Sequence, residues 1–176
     1  SVPKIKMKKS ALVLIVSLLL INNAFAQYEE DIESVDSIIE ALYASISGDA
    51  GEQRDWDRFK NLFIEEGRLI PTFQNQDGSV GYIQWSLDEY IQRVDSSFFA
   101  NGFYEDEISR EVDSYRYITQ VFSTYQSKRT KNGDVIARGI NTIQVLNDGN
   151  RYWIVSVFWS SENEEFPIPD IYLKTN

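Results

Sequence analysis

The fold is decided by one stretch, RGINTIQVLNDGNRYWIVSVFW (residues 138–159), which is typical of two β-strands joined by a tight turn. Asp148 and Gly149 stand between two runs of apolar and β-branched residues, and Asp-Gly in that position is a strong hairpin signal. The second run has large apolar side chains at both even and odd positions, whereas an antiparallel strand usually leaves one polar face to water. The pattern therefore predicts that both faces of this strand are covered.

Upstream of the hairpin, the spacing of apolar residues predicts helices. Apolar side chains recur at steps of three and four through residues 32–46, which is typical of an amphipathic helix. Asp55 precedes a second, shorter repeat and is a suitable N-cap. Ser86 and Glu89 have the spacing of a capping box and predict the start of a third helix.

Alternating apolar residues predict three further strands, at residues 103–112, 117–129 and 135–146. Asn-Gly and Asp-Gly pairs separate the last strands and mark hairpin turns. Helices placed mostly before such a meander predict the α+β fold class, with the helices packed on one face of the sheet.

Two stretches carry a family resemblance, DWDRFKNLFIEEGRLIP (residues 55–71) and NRYWIVSVFWS (residues 150–160). Together with the order of elements, they make residues 31–160 similar to the nuclear transport factor 2-like superfamily, which includes ketosteroid isomerase, scytalone dehydratase and the SnoaL cyclases. The resemblance implies a cone-shaped, curved antiparallel sheet packed against about three N-terminal helices, with a ligand on the concave face. The residues that the resemblance places in the roof of this pocket are Tyr43, Trp56, Phe59 and Tyr90.

The first 26 residues have the composition of a secretory signal peptide. Lysines precede the apolar run at residues 11–21, which is shorter than the roughly 20 residues of a membrane span, and an A-x-A site follows. MKKSALVL is typical of a bacterial export signal, so Met7 is the expected native start. We expect a periplasmic or secreted bacterial protein without stable membrane insertion after cleavage; an uncleaved N-terminal anchor is the alternative. The mature chain is expected to be one domain, residues 27–176, with a C-terminal tail at residues 161–176.

Composition excludes several functional classes. The four lysines of the signal segment belong to the 17 basic residues, so 13 remain against 27 acidic residues, a net charge of −14. This charge argues against nucleic acid and anionic membranes as partners. The chain has no His and no Cys, which excludes Ser–His and Cys–His nucleophile pairs and zinc sites of the Cys and His type. We expect no cofactor and no metal.

Counting outward from the two turns predicts a polar row on the sheet. The count places Asn141 opposite both Thr124 and Ser156, on the more apolar face and beside Phe158. A polar row in an apolar surround is typical of small-molecule pockets, so an apolar small molecule is the expected partner. The alternative is that the three polar side chains satisfy one another by hydrogen bonds within a core sheet.

The opposite face of the predicted sheet carries aromatic and apolar side chains together with one arginine. This composition is typical of a protein–protein interface, and superfamily members often dimerise through this face, so we expect a homodimer. The alternative cover is the chain's own tail, residues 166–173. The residues expected in the interface are Tyr125, Arg138, Ile140, Trp153, Val157 and Trp159.

Four acidic residues on one predicted strand are the candidates for proton transfer. One of Glu105, Asp106, Glu107 and Glu111 could point inward, and an inward carboxyl with a raised pKa could serve as a base. Tyr43 could act with it as a hydrogen-bond donor. The sequence assigns no catalytic residue.

Three hypotheses follow. The first is an exported domain that binds an apolar small molecule in the cone and has no demonstrable catalytic machinery. The second is an acid–base lyase or isomerase of the SnoaL or ketosteroid isomerase type, which needs an acid that opens into the pocket. The third is an interaction module that uses the convex sheet face. All three share one fold, so the fold does not select among them.

Overall fold

The computed structural model describes residues 28–174. The predicted signal peptide and the native start at Met7 lie outside these residues. The chain divides into two compact units, residues 1–30 and Asp31–Asn176. The first of them lies almost wholly outside the described residues. The second unit contains the helices α1 (Val35–Ile46), α2 (Trp56–Asn61) and α3 (Leu87–Asn101), and the strands β1 (Phe63–Gln74), β2 (Val80–Tyr82), β3 (Tyr104–Tyr115), β4 (Ile118–Lys128), β5 (Val135–Asn147) and β6 (Tyr152–Ser161).

The six strands form one curved sheet in the order β2-β1-β6-β5-β4-β3, and the expected α+β cone is confirmed. Strands β3 to β6 make the predicted antiparallel meander. Strand β1 pairs with β6 in parallel, so the sheet is mixed and differs from the expected antiparallel sheet in this one ladder. After β1 and β2, helix α3 leads the chain to the opposite edge of the sheet, where β3 lies. The meander from β3 to β6 then runs back across the sheet, so that β6 lies beside β1.

Helix α1 forms where the apolar repeat predicts it. The Ser34 hydroxyl accepts from the Ser37 N–H at 3.0 Å, and the Ser37 hydroxyl accepts from the Ser34 N–H at 3.0 Å, so the first turn is capped reciprocally. Ile38, Ile39 and Leu42 face the sheet and are almost fully buried. Burial of each of these side chains contributes roughly 2 kcal/mol, which fixes α1 on the concave face.

The other two helices begin at the predicted caps. The Ser86 hydroxyl accepts from the Glu89 N–H at 3.3 Å, and the Glu89 carboxylate accepts from the Ser86 N–H at 2.8 Å. The Asp55 carboxylate accepts from the Arg58 N–H at 2.9 Å at the start of α2. The predicted capping box and N-cap are therefore confirmed, and α3 is held over the open side of the cone.

A buried arginine joins the end of α1 to the rest of the helical layer. Arg54 is only 5% exposed. Its guanidinium donates to the carbonyl oxygens of Ile46 at 3.0 Å, Gly48 at 2.6 Å and Glu52 at 2.7 Å. A weaker bond of 3.4 Å reaches the carbonyl of Phe98 in α3. Ile46 is the last residue of α1 and Glu52 lies beyond it, so among residues 28–174 these two carbonyls have no backbone partner of their own.

The predicted register between β4 and β5 is wrong by one residue. The structure pairs Asn141 with Ser123, and Thr124 lies opposite Ile140. Next to the turn, Lys128 pairs with Val135, two residues from the predicted count; an irregularity between Ser127 and Lys128, where β5 has the extra residue Ile136, leaves the rest of the ladder one residue from it. Because successive side chains point to opposite faces, this slip exchanges Thr124 for Ser123 on the concave face.

A β-bulge in β6 explains why this strand is apolar on both sides. Gln144 pairs with Ser156 whereas Val145 pairs with Ile154, so Val155 is the extra residue. Before the bulge Ile154 faces the core, and after it Val157 faces the core. The predicted β5–β6 register is wrong by two residues between the turn and the bulge and by three beyond it, where Asn141 pairs with Trp159 and not with Ser156.

The chain's own tail covers part of the convex face. Ile168 is 8% exposed. The Thr124 hydroxyl donates to the Tyr172 carbonyl at 2.7 Å, and the Phe122 and Tyr172 ring centroids lie 4.9 Å apart. The tail predicted as the alternative cover thus occupies the part of this face around Thr124.

Within the described residues, no helix is both long enough and apolar enough to cross a membrane.

Candidate functional site

A cavity of about 310 Å³ lies between the helices and the concave face of the sheet. Its wall is mainly aliphatic and aromatic, with a few polar groups. The side chains that line it are Leu42, Tyr43, Ile46, Phe59, Leu69, Trp85, Tyr90, Arg93, Val94, Phe98, Phe103, Glu105, Tyr125, Ser127, Ala137, Asn141, Val157 and Trp159.

One carboxyl group reaches this cavity, that of Glu105 in β3. The Ser127 hydroxyl donates to it at 3.0 Å, and the Asn141 amide donates to it at 3.4 Å. Burial raises the pKa of Glu105 to about 7, while the two hydrogen bonds act in the opposite direction. Near neutral pH the carboxyl is therefore divided between its protonated and ionised forms, as a group that both takes and gives protons must be.

Asn141 links Glu105 to a second buried group, the phenol of Tyr43 on α1. The Asn141 amide donates to the Tyr43 hydroxyl at 3.0 Å. The Tyr43 hydroxyl lies 2.7 Å from the Ser123 hydroxyl, which donates to the carboxylate of Glu107. Since the Ser123 proton is directed at Glu107, Tyr43 donates to Ser123. Burial, together with the charge of Glu105, raises the pKa of Tyr43, which keeps the phenol protonated.

An ion-pair cluster ends this hydrogen-bond chain at the protein surface. The Glu107 carboxylate lies 2.5 Å from the Arg110 guanidinium, which also reaches Asp36 of α1 at 2.8 Å. Every hydrogen bond from Asn141 to Arg110 therefore has a donor and an acceptor, and the orientation of Asn141 is fixed from behind the cavity.

Tyr90 of α3 has a hydroxyl without a hydrogen-bond partner among residues 28–174. Its ring stacks on Phe59, with the centroids 5.6 Å apart. Every fully buried polar side-chain atom in that part of the chain has a hydrogen-bond partner. The Tyr90 hydroxyl has none there, so it is not fully buried and faces open space in the cavity. Burial and the charge of Glu105 raise its pKa. The Tyr90 hydroxyl is thus a protonated donor that a bound molecule could satisfy.

Trp85 and Arg93 form the rim of the cavity. Backbone hydrogen bonds with Leu69, of 3.0 and 2.9 Å, hold Trp85 in place just before α3. The Arg93 guanidinium carbon lies 5.2 Å from the centroid of the Trp85 ring. Within the described residues, no group of three or more acidic side chains could hold a metal ion.

No family model and no curated protein matches the sequence. Solved structures do match. A cystatin-like protein of unknown function from Nostoc punctiforme has a TM-score of 0.54 at 10% identity, covering 74% of this chain and 90% of that one. An NTF-2-like protein of unknown function from Silicibacter pomeroyi has a TM-score of 0.50 at 14% identity, covering 73% and 92%. The chain has the nuclear transport factor 2-like fold. A protein of unknown function from Mycobacterium tuberculosis has a TM-score of 0.55 at 11% identity, covering 73% and 74%.

Within this nuclear transport factor 2-like cone, three of the four predicted roof residues lie on the cavity wall. These are Tyr43, Phe59 and Tyr90. Trp56 lies behind the wall, because its ring packs edge-on against Phe59 at 5.7 Å and its indole N–H donates to Asp95 at 2.7 Å. The prediction that Trp56 lines the pocket needs correction.

Of the four sheet residues predicted in the pocket, only Asn141 lies on its wall. The one-residue slip turns Thr124 to the convex face, where it holds the tail. The bulge turns Ser156 and Phe158 to the same convex face, where Ser156 donates to Gln144 at 3.0 Å. The predicted polar row is therefore replaced by Ser123, Asn141, Ser127 and Glu105.

The same two irregularities move half of the predicted interface. Tyr125, Val157 and Trp159 lie on the cavity wall instead of the convex face. A Cβ at Gly139 would lie 2.5 Å from the Tyr125 hydroxyl, so glycine makes the space that this ring occupies in the cone.

The other predicted interface residues do lie on the convex side. Arg138 forms an ion pair with Glu162 at 2.5 Å, Ile140 lines a groove beside the tail, and the Trp153 ring lies 3.5 Å from the Arg151 guanidinium carbon. Homodimer formation through this face stays a prediction.

Three further residues line the cavity that are not among the predicted site residues: Trp85, Arg93 and Ser127. A signal for Arg93 was available, because it lies three residues after Tyr90 and so projects from the same face of α3. Of the four acidic candidates, Glu105 and Glu107 point inward. Asp106 instead pairs with Lys128 at 2.6 Å.

Proposed function

We propose that this chain binds a small, largely apolar molecule in the cavity of the cone. The observation that carries the proposal is the cavity itself, which has apolar walls and one cluster of polar groups. Its volume of about 310 Å³ is at the lower end of the range of small-molecule pockets, roughly 300–1,000 Å³. A ligand with an apolar body and one hydroxyl or carbonyl group matches this wall.

The polar cluster supports the proposal because it is unsatisfied on the cavity side only. Asn141 and Tyr43 are fixed by hydrogen bonds behind the wall. The Tyr90 hydroxyl and the Glu105 carboxyl remain available for a ligand, the first as a donor and the second as an acceptor or, when protonated, a donor. A preformed site of this kind binds without a large ordering cost.

Ala137→Trp is expected to weaken binding of decanol by more than about tenfold, which corresponds to about 1.4 kcal/mol. Ala137 is exposed and lines the cavity, so a larger side chain there blocks the space without disturbing the core. Isothermal titration calorimetry measures the affinity. Ala100→Trp is the matched control, since Ala100 is exposed on α3 and does not line the cavity. Absence of decanol binding to the wild type, or equal binding by both variants, would contradict the proposal.

A second candidate function is acid–base catalysis at a carbon next to a carbonyl group. The specific observation in its favour is the Glu105 carboxyl at the cavity wall, with its pKa raised to about 7. The Glu105 carboxylate would take a proton from that carbon while the electron pair moves to the carbonyl oxygen, giving an enolate. The Tyr90 hydroxyl would donate a hydrogen bond to this oxygen, and the protonated Glu105 would return the proton.

Deuterium exchange of methyl nonyl ketone tests this candidate. In heavy water, the wild type is expected to accelerate exchange at the carbons next to the carbonyl, and NMR measures the rate. Glu105→Gln is expected to lower the enzymatic rate by about 100-fold or more, because the amide cannot accept the proton. Calorimetry with the same ketone controls for binding, which the variant should retain. An unchanged exchange rate in Glu105→Gln would reject Glu105 as the base.

A further inference from the structure

Arg93 is a cation at the opening of the cavity. It lines the cavity and is also exposed, so it lies where the cavity meets solvent. Its guanidinium lies over the face of the Trp85 ring, which restricts where its N–H groups can point. Among residues 28–174 no carboxylate lies within ion-pair distance of Arg93, and none of its guanidinium N–H groups has a hydrogen-bond acceptor.

Three of the other eight arginines among residues 28–174 form ion pairs with carboxylates, and five do not. Arg58 holds Asp31 at 2.7 Å, Arg110 holds Glu107 at 2.5 Å, and Arg138 holds Glu162 at 2.5 Å. The rim of the cavity instead leaves the guanidinium fork of Arg93 open, and that fork matches the two oxygens of a carboxylate.

The cavity separates Arg93 from the Glu105 carboxyl. Both residues line the same space, yet they form no ion pair with each other. Apolar side chains, among them Val94, Phe98 and Phe103, line the same wall. An anionic group placed beside Glu105 would be repelled by its ionised form, whereas at Arg93 it would be attracted and partly hydrated.

We propose that the ligand is an amphiphilic carboxylic acid, whose carboxylate binds Arg93 at the rim and whose apolar body fills the cavity toward Asn141 and Glu105. This inference rests on the proposed binding function and adds the ligand class and its orientation. A singly charged head group fits better than a doubly charged one, because the field of this acidic chain opposes each added negative charge.

Two probes of equal chain length, decanoate and decanol, test the inference at pH 8. The wild type is expected to bind decanoate about tenfold more tightly than decanol, as measured by calorimetry. Arg93→Gln is expected to remove this preference, because decanoate loses its ion pair whereas decanol has none to lose. Sodium chloride should weaken decanoate binding by the wild type and have little effect on decanol, because only the ion pair is screened.

Arg129→Gln is the matched control, since it removes the same charge from an exposed arginine that does not line the cavity. It should keep the preference for decanoate. If Arg93→Gln keeps the preference, or if the wild type binds decanol as tightly as decanoate, the carboxylate site is refuted while the binding function stands. If neither probe binds the wild type, both the binding function and the carboxylate site fail.

Discussion

Replacing Arg54 with methionine is expected to lower the free energy of unfolding by about 3–5 kcal/mol. Methionine fills much of the same space but leaves the carbonyls of Ile46 and Glu52 without the donors that now satisfy them, while Gly48 keeps only its bond from the Phe103 N–H. An unsatisfied buried polar group costs about 1–3 kcal/mol, and two such groups lose their partner together. Urea denaturation followed by circular dichroism measures the change.

Two further variants isolate the cause of this loss. Arg129→Met makes the same substitution at an exposed position and should change the free energy of unfolding by less than about 0.5 kcal/mol. Arg54→Lys keeps the charge but not the planar fork, so its loss should lie between those of the two methionine variants. A loss for Arg54→Met as small as that of Arg129→Met would mean that the carbonyls find other partners.

The second large effect is a dependence of stability on pH that originates in Glu105. Burial raises its pKa from 4.5 to about 7 in the folded chain. Between these values the folded state holds a proton that the unfolded state has released, so the free energy of unfolding falls as pH rises from about 4.5 to 7. Below this window the carboxyl is protonated in both states. Above it the carboxyl is ionised in both and the full penalty, about 3 kcal/mol, is present.

Glu105→Gln is expected to remove this component, so that above pH 7 the variant is more stable than the wild type by up to about 3 kcal/mol. Urea denaturation of both proteins across the pH range gives the difference. Other acidic groups make stability rise with pH, such as Glu162, whose pKa the Arg138 hydrogen bond lowers. Both proteins contain these groups, so their contribution cancels when the free energy of unfolding of the wild type is subtracted from that of the variant. Glu111→Gln changes an exposed carboxyl on the same strand and should leave the profile unchanged. A difference that does not vary with pH would show that Glu105 titrates normally.

The same buried carboxyl ties stability to function. A glutamate that is costly to ionise persists in a cavity only where the surrounding structure compensates for it, and such groups are concentrated at functional sites. The gain in stability expected for Glu105→Gln and the loss of exchange activity expected for the same variant are therefore linked. Measured together, they separate a binding pocket, in which only stability changes, from a catalytic one, in which both change.

The local features of the fold could be predicted from the sequence because they depend on neighbours along the chain. The capping box of Ser86 and Glu89 and the N-cap of Asp55 satisfy backbone groups within one helical turn. The helical repeat of α1 likewise placed Tyr43 on the inner face, and that of α3 placed Tyr90 there. Periodicity of this kind is a property of the segment itself.

The composition of the sheet site could not be predicted, because it depends on two extra residues in the ladders. The irregularity near Lys128 and the bulge at Val155 each shift one strand by a residue, and a shift of one reverses every later side chain. One signal was present in the sequence. Strand β6 is apolar at both even and odd positions, and a bulge exchanges these two sets of positions between the faces of a strand.

The fold class, the helices and their caps, the meander and the absence of His and Cys chemistry could all be inferred from the amino-acid sequence, since each follows from local periodicity or from composition. Which polar groups meet in the cavity depends on the three-dimensional fold. Glu105, Asn141 and Tyr43 come from β3, β5 and α1, and their hydrogen bonds join residues up to 98 positions apart. A contact between distant segments depends on the register of every strand pair between them and on the curvature of the sheet. A single inserted residue shifts the register of all later pairs without changing any local sequence pattern.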